Sequence, residues 1–310
     1  MDKNLHLDNV LKSYNINLDE GSLLENYKKK RDKVKEALEK EFGDKIVKII
    51  NSGSYAKSTA INTKFDLDLC VHFKKGSYST LKEMYDAVFD FLSKKFKKDD
   101  ADLIKVRPQK VSVGLKFNVE SEDLLFDVTP GRKTDEKTTD DNINLYINDD
   151  EIEANWTKTN IQSQIDYIKG RNKERECIKL LKVWKYNHDI ELKSFFVELI
   201  TIKAFEAVEV DKEVGKWNRL KKVIEFMRDN IESVSLIDPG NSNNNVANSL
   251  TKEEKTELKD YWKEMLEKIE KDDTKLKYYF PENPKYPTKE EVYENDAKKS
   301  ASILSTQTFG

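Results

Sequence analysis

The chain is predicted to be an α+β protein of two lobes, a mixed-sheet lobe at residues 1–158 and a helical lobe at 159–310. Three observations predict it. Segments that alternate apolar and polar residues, above all Asp66–Phe73 and Val111–Val119, fall in the first half, and successive strand side chains point to opposite faces. Beyond about Trp156 the periodic stretches all have helical spacing. A chain of 310 residues is long enough for two ordinary domains, each burying a sizeable core.

In order along the chain, Leu23, Leu24, Tyr27, Val34, Ala37, Leu38 and Phe42 recur at helical spacing and predict a long amphipathic helix over 23–42. Lys45 to Ile50 reads as a strand, Gly53-Ser54 as a small loop and Asp66–Phe73 as a strand. After a turn at Gly76, a helix over Leu81 to Phe96 begins at a cap supplied by Ser79 or Thr80. Two further strands follow, Val111–Val119 and the apolar run around Asp127, which should end at Pro130-Gly131. Helices are expected near 171–188, 193–209, 216–233 and 251–270. The loop Ile237–Asn245, rich in Asn with Pro239-Gly240, has a turn-forming composition that excludes helix and strand. From about 272 onward, with Pro281, Pro284 and Pro287, the chain is expected to be an extended tail around one short helix. There are no internal repeats.

Charged residues make up 36% of the chain with a net charge of only -3, a densely mixed surface rather than a single-sign field. No global nucleic-acid signature follows. The basic runs Lys28–Arg31 and Lys94–Lys98 are interleaved with acids and read as solvated helix faces, with an RNA or DNA ligand left open. Cys70 and Cys177 form neither a disulfide framework nor a zinc pattern, which fits a reducing cytoplasm. The polar start Met1-Asp2-Lys3-Asn4 is no signal peptide, and no apolar run reaches membrane-spanning length, so a soluble, cytoplasmic monomer is expected.

The chemistry concentrates in residues 53–68, a glycine-serine turn followed by two aspartates one residue apart. A nucleoside triphosphate needs backbone and hydroxyl donors around its phosphates and carboxylates to hold Mg²⁺ beside them. Asp66 and Asp68 share one face of their strand, and Asp127, an acid within an apolar run, completes a candidate metal-binding triad. A lone D-x-D pair is common in so charged a chain; the combination with the Gly53-Ser54 turn and the later Asp is what points to catalysis.

Together with the block Cys177–Lys185 and the segment Lys193-Ser194-Phe195-Phe196, these residues resemble the cGAS/DncV-like nucleotidyltransferases, the CD-NTases that act as bacterial antiphage (CBASS) cyclic oligonucleotide synthases. The resemblance spans most of the chain. It implies a polymerase-β-like catalytic lobe joined to an oligoadenylate-synthetase-like helical lobe. It further implies that Gly53 and Ser54 steady the donor phosphates, that Lys179 and Lys182 grip the triphosphate, and that Ser194 and Phe195 meet a phosphate and a base. The bland alternatives are that Phe195 is core and Ser194 a helix cap. The Ile237–Asn245 loop also resembles a family segment, whereas His6, His72, His188 and the two cysteines cannot build the zinc insertion of the animal relative.

The resemblance implies two Mg²⁺ ions, with Mn²⁺ as a substitute, held by Asp66, Asp68 and Asp127. ATP, GTP or other nucleoside triphosphates would be the substrates, and a cyclic di- or trinucleotide the product. Partners implied are an RNA activator, another regulatory protein, or a ubiquitin-like conjugation enzyme acting on the terminal glycine of Ser305-Thr306-Gln307-Thr308-Phe309-Gly310. Two other readings stay open: a linear nucleotidyltransferase acting on RNA ends, proteins or small molecules, and a catalytically silent scaffold. Base choice, ring size and linkage are not legible in the residues.

Overall fold

The computed structural model describes residues 1–16, 23–63, 65–137, 139–149, 151 and 155–286. The expectation for Gly310, with the rest of 287–310, lies outside the described residues. The helices are α1 (Lys3–Ser13), α2 (Leu23–Phe42), α3 (Gly53–Ala56), α4 (Leu81–Asp90), α5 (Lys97–Asp99), α6 (Ile161–Ile168), α7 (Asn172–Asn187), α8 (Ser194–Val208), α9 (Lys216–Asn230), α10 (Lys252–Lys271) and α11 (Lys275–Tyr279). The strands are β1 (Ile46–Ser52), β2 (Asp66–Phe73), β3 (Leu103–Pro108), β4 (Val113–Val119), β5 (Glu122–Lys133), β6 (Ile143–Tyr146), β7 (Trp156–Thr159), β8 (Ile237–Asp238) and β9 (Asn241–Asn245).

β1 to β7 form one mixed sheet ordered β1-β2-β5-β4-β3, with β6 and then β7 added along the far half of β5. Only β2 and β5 run parallel; the other pairs are antiparallel. The β2 alternation divides the sheet's two faces. Leu67, Leu69, Val71 and Phe73 enter a core roofed by α2 and α4, with Tyr27, Val34, Leu38, Met84 and Val88 opposite them. Asp66 and Asp68 lie on the other face, followed by Cys70, which packs on Ile143 and Leu145.

A second core fills the helical half, built from Trp184, Phe196, Ile200, Val223, Trp262 and Ile269 among others. Leu7 and Val10 of α1 and Tyr14 just after it belong to this core, so the N-terminus packs with the C-terminal helices. The chain beyond α10 is anchored as well: Phe280 is buried, its carbonyl meets His6 Nε2 at 2.8 Å, and Asn283 N donates to Ser13 Oγ at 3.0 Å. α11 is the short helix expected in this region.

Local chemistry explains the boundaries. α2 occupies the predicted span. Thr80 caps α4 in a capping box with Glu83, where the sequence offered Ser79 or Thr80; the helix continues as a π-helical turn over Phe91–Phe96. Two expectations are corrected. β5 does not stop at Pro130-Gly131 but runs to Lys133, because β6 pairs Gly131, Arg132 and Lys133, and a side chain at Gly131 would collide with Ile143. The Ile237–Asn245 segment is not strand-free: Ile237 pairs Asn245 and Asp238 pairs Asn241 in a small hairpin. Its turn is held by the buried Asp238 carboxylate, which accepts from Gly240 N at 2.7 Å and from Gln164 Nε2 at 2.9 Å.

Candidate active site

The parallel pairing of β2 with β5 places Asp68 opposite Asp127, and Asp66 opposite Leu125. Paired residues of a parallel register share a face, so the three aspartates singled out from the sequence stand together on the open side of the sheet. The Gly53 turn closes over them. Its φ is +63°, and a Cβ there would fall 1.6 Å from Asp68 Oδ2, so only glycine lets the loop approach the carboxylate. Where the sequence suggested a small loop, Gly53 and Ser54 open the single-turn helix α3, with Lys57 N donating to Gly53 O and Thr59 N to Ser54 O.

This crowding has an electrostatic cost. Burial, then the charges of Asp66 and Asp127, pushes the Asp68 carboxyl up to about 8. Burial, then Asp127, raises Asp66 to about 6. Asp127 is raised by burial and eased by Gln109, Arg107 and Ser112, whose Oγ lies 3.4 Å from Asp127 Oδ2. Among the described residues no three acidic, His or Cys side chains already converge as a metal cage. The donor set nonetheless fits a divalent cation, since clustered carboxylate oxygens whose ionisation is held back by mutual repulsion are what a hard cation relieves.

Two cavities flank the carboxylates. One, of about 250 Å³, lies between the Gly53 loop and the helical half, lined by Gly53, Ser54, Asp66, Lys182, Ser194 and Phe195 together with Lys57, Thr59, Tyr186 and Glu198. Five of the predicted phosphate- or nucleotide-binding residues therefore meet there. Lys179 does not: it sits half-buried one turn before Lys182, its ammonium pKa lowered by burial and by the nearby Arg175 and Lys182. Ser194 opens α8 without capping it, and its hydroxyl instead meets Tyr186 OH at 3.2 Å and Lys185 Nζ at 3.4 Å. Phe195 is half-buried at the cavity wall, its ring 4.8 Å from Lys57 Nζ.

The floor of this cavity is an ionic network that sequence reasoning missed. Glu198, 3% exposed, accepts from Lys182 Nζ at 2.9 Å, Thr59 Oγ1 at 2.8 Å and Lys57 Nζ at 2.5 Å. The two ammonium groups outweigh the cost of burial and hold its carboxyl down at about 2. A glutamate inside the apolar run Phe195–Ile202 was the available signal, because such a charge is buried only when paired.

The second cavity, about 230 Å³, opens on the other side of Asp127 over β3, β4 and β5. Lys105, Arg107, Gly114, Lys116 and Leu125 line it. Lys116 pairs with Asp123, whereas Lys105 and Arg107 form no ion pair among the described residues. Gly114 lies opposite both Arg107 and Asp127 and keeps this surface open.

Cys70 and Cys177 are free and buried, and no described helix is long and apolar enough to cross a membrane.

Comparison with known proteins matches residues 1–172 to the model of the SMODS family, the Second Messenger Oligonucleotide or Dinucleotide Synthetase domain. A CBASS oligonucleotide cyclase CdnC from Escherichia coli (strain KTE188) is 26% identical over 266 residues, covering 76% of this chain and 81% of that one. The solved structure of E. coli MS115-1 CdnC with ATP superimposes with a TM-score of 0.69 at 20% identity, over 90% of this chain and 96% of that one. The same protein in a CdnC:HORMA-deltaN complex gives 0.66, with the same identity and coverage.

Proposed function

The chain belongs to the Second Messenger Oligonucleotide or Dinucleotide Synthetase family of nucleotidyltransferases, and on that premise we propose how its own residues make a cyclic oligonucleotide from nucleoside triphosphates. The observation that carries the proposal is the Asp68–Asp127 register with Asp66 beside it, under a loop that only Gly53 can form. The cavity at Ser54, Ser194 and Phe195 takes the donor triphosphate, with Phe195 against the base and the Ser54 hydroxyl and loop amides on phosphate. Lys182 in the wall and Lys179 one turn behind it contribute positive charge.

The family is divalent-metal dependent, and Asp66, Asp68 and Asp127 would hold Mg²⁺ or Mn²⁺, which when bound acidifies the acceptor hydroxyl and neutralises the leaving pyrophosphate. Asp127, supported by Ser112 and Gln109, stands on the side of the second cavity. That cavity takes the acceptor nucleotide, with Arg107 and Lys105 on its phosphates, so the acceptor hydroxyl is presented between the two sites. We further propose that the carboxylate-bearing lobe, 1–158 with α1 packed instead on the helices, and the helical lobe, 159–310, meet at the donor cavity. Antiphage signalling in the cytoplasm is the setting proposed, by analogy with the CBASS cyclase that the chain resembles. A regulatory protein is the proposed partner, by analogy with the CdnC:HORMA-deltaN complex.

The test is to incubate the protein with all four labelled triphosphates and Mg²⁺ or Mn²⁺, treat with phosphatase and identify resistant products by mass spectrometry. A resistant cyclic product is expected from the native chain, and none from a folded Asp66→Ala/Asp68→Ala variant. Products that are all phosphatase-sensitive would favour a linear transferase, and turnover by the folded double variant would refute the carboxylate assignment.

A further inference from the structure

An ammonium group has three N–H donors. Lys182 spends all three, on Thr59 O at 3.2 Å, Thr59 Oγ1 at 3.0 Å and Glu198 Oε1 at 2.9 Å, and its side chain is 3% exposed. To bind a phosphate directly it would have to abandon one of these buried acceptors. Lys57 differs: among the described residues it has one acceptor, Glu198 Oε2 at 2.5 Å, and the Phe195 ring beside it. Its side chain remains 11% exposed and faces the donor cavity.

We infer that Lys57 is the cation that receives the donor's polyphosphate, and that Glu198 is a positioning residue acting through it. The inference rests on the cavity at Ser54 being the donor site. Lys57 lies on the same short segment as Gly53 and Ser54, its own N–H bonded to Gly53 O, so loop donors and ammonium move as one piece. Glu198 divides its two oxygens between the lysines: Oε1 holds Lys182 and Thr59, and Oε2 holds Lys57. Two ammonium groups on one carboxylate leave one net positive charge within this cluster. The Asp68 carboxylate attracts it, and once the carboxylates are neutralised by cations it is left for an anion. Lys182 then acts as the fixed post that keeps Glu198 in place.

The test is calorimetric titration of native and variant chains with a nonhydrolysable ATP analogue and with AMP, both with Mg²⁺. Lys57→Met should weaken triphosphate binding about 10- to 100-fold, as for loss of a charge-assisted hydrogen bond, and leave AMP binding unchanged. Lys57→Arg should restore most of it. Glu198→Gln should give a smaller triphosphate-selective loss and Glu198→Asp a partial rescue. A folded Lys57→Met with native triphosphate affinity, or with equal losses for triphosphate and AMP, overturns the inference while leaving the donor site standing. Should that variant not fold, the triphosphate-to-AMP ratio of Glu198→Gln decides in the same way. A native chain that binds no triphosphate overturns the donor-site reading and this inference with it.

Discussion

Replacing Asp68 by Asn should stabilise the metal-free protein, and do so only away from acid pH. The Asp68 carboxyl is pushed up to about 8 from 3.8, by burial first and then by Asp66 and Asp127, with Lys57 and Lys182 pulling weakly the other way. The folded chain therefore keeps a proton that the unfolded chain gives up, and stability falls as pH rises between about 4 and about 8. Below that window both states are protonated and the group contributes nothing. Each pH unit within it costs about 1.4 kcal/mol, so by pH 7 the penalty reaches at most about 4 kcal/mol. Asn keeps the shape and carries no charge to desolvate. Recovery of even half, about 2 kcal/mol, raises the melting temperature by several degrees in a chain of this size. The assay is thermal unfolding of chelator-treated native and Asp68→Asn chains at pH 5, 7 and 8, then with Mn²⁺ or Mg²⁺ added. The gain should grow from pH 5 to pH 8, and added cation should stabilise the native chain and not the variant. A gain independent of pH, or a loss at every pH, would refute the reasoning.

Three further outcomes are expected. Gly53→Ala should fold by circular dichroism yet lose about 100-fold or more in turnover, because its methyl occupies the place of the Asp68 carboxylate and displaces it by about an ångström. Tyr27→Phe removes a buried hydroxyl that donates to Phe65 O at 2.8 Å and accepts from Leu125 N at 3.3 Å, where β2 and β5 begin their parallel pairing. It should cost about 1–2 kcal/mol in denaturant unfolding and lower kcat more than it raises KM. Arg107→Ala should raise the KM for nucleotide about tenfold without weakening a nonhydrolysable analogue in the donor cavity, which calorimetry reads separately.

What was legible in the sequence follows from where the physics is local. β2 announces itself because one face meets the core and the other carries the aspartates, so alternation and function coincide in eight residues. α2 is legible for the same reason at helical spacing. β3 was not, because Leu103–Pro108 is a short edge strand in which Ile104 is exposed alongside Lys105, Arg107 and Pro108, so its brief alternation does not mark a core-facing side. β6 and β7, four residues each, are defined by pairing onto the far half of β5 rather than by their own composition. The β8–β9 hairpin misled because backbone pairing over so few residues needs only a turn, and Asp238 supplies it through Gly240 and Asn244.

The candidate site divides along the same line. The aspartates and the Gly53 turn lie within sixteen residues or on a strand paired to them, and spacing found them. The Lys57–Glu198 contact spans 141 positions, and Lys182–Thr59 spans 123. No periodicity connects such groups; only the docking of α7 and α8 onto the Gly53 segment brings them together. That separation has a functional consequence. The carboxylates belong to the sheet, the compensating ammonium groups bridge sheet loop and helices, and neither set is electrically satisfied alone. The carboxylates repel one another until cations arrive, and the Lys57 charge is drawn to Asp68 until those cations release it for phosphate. Metal and triphosphate should therefore bind with positive coupling, since each removes a cost that the other would otherwise meet.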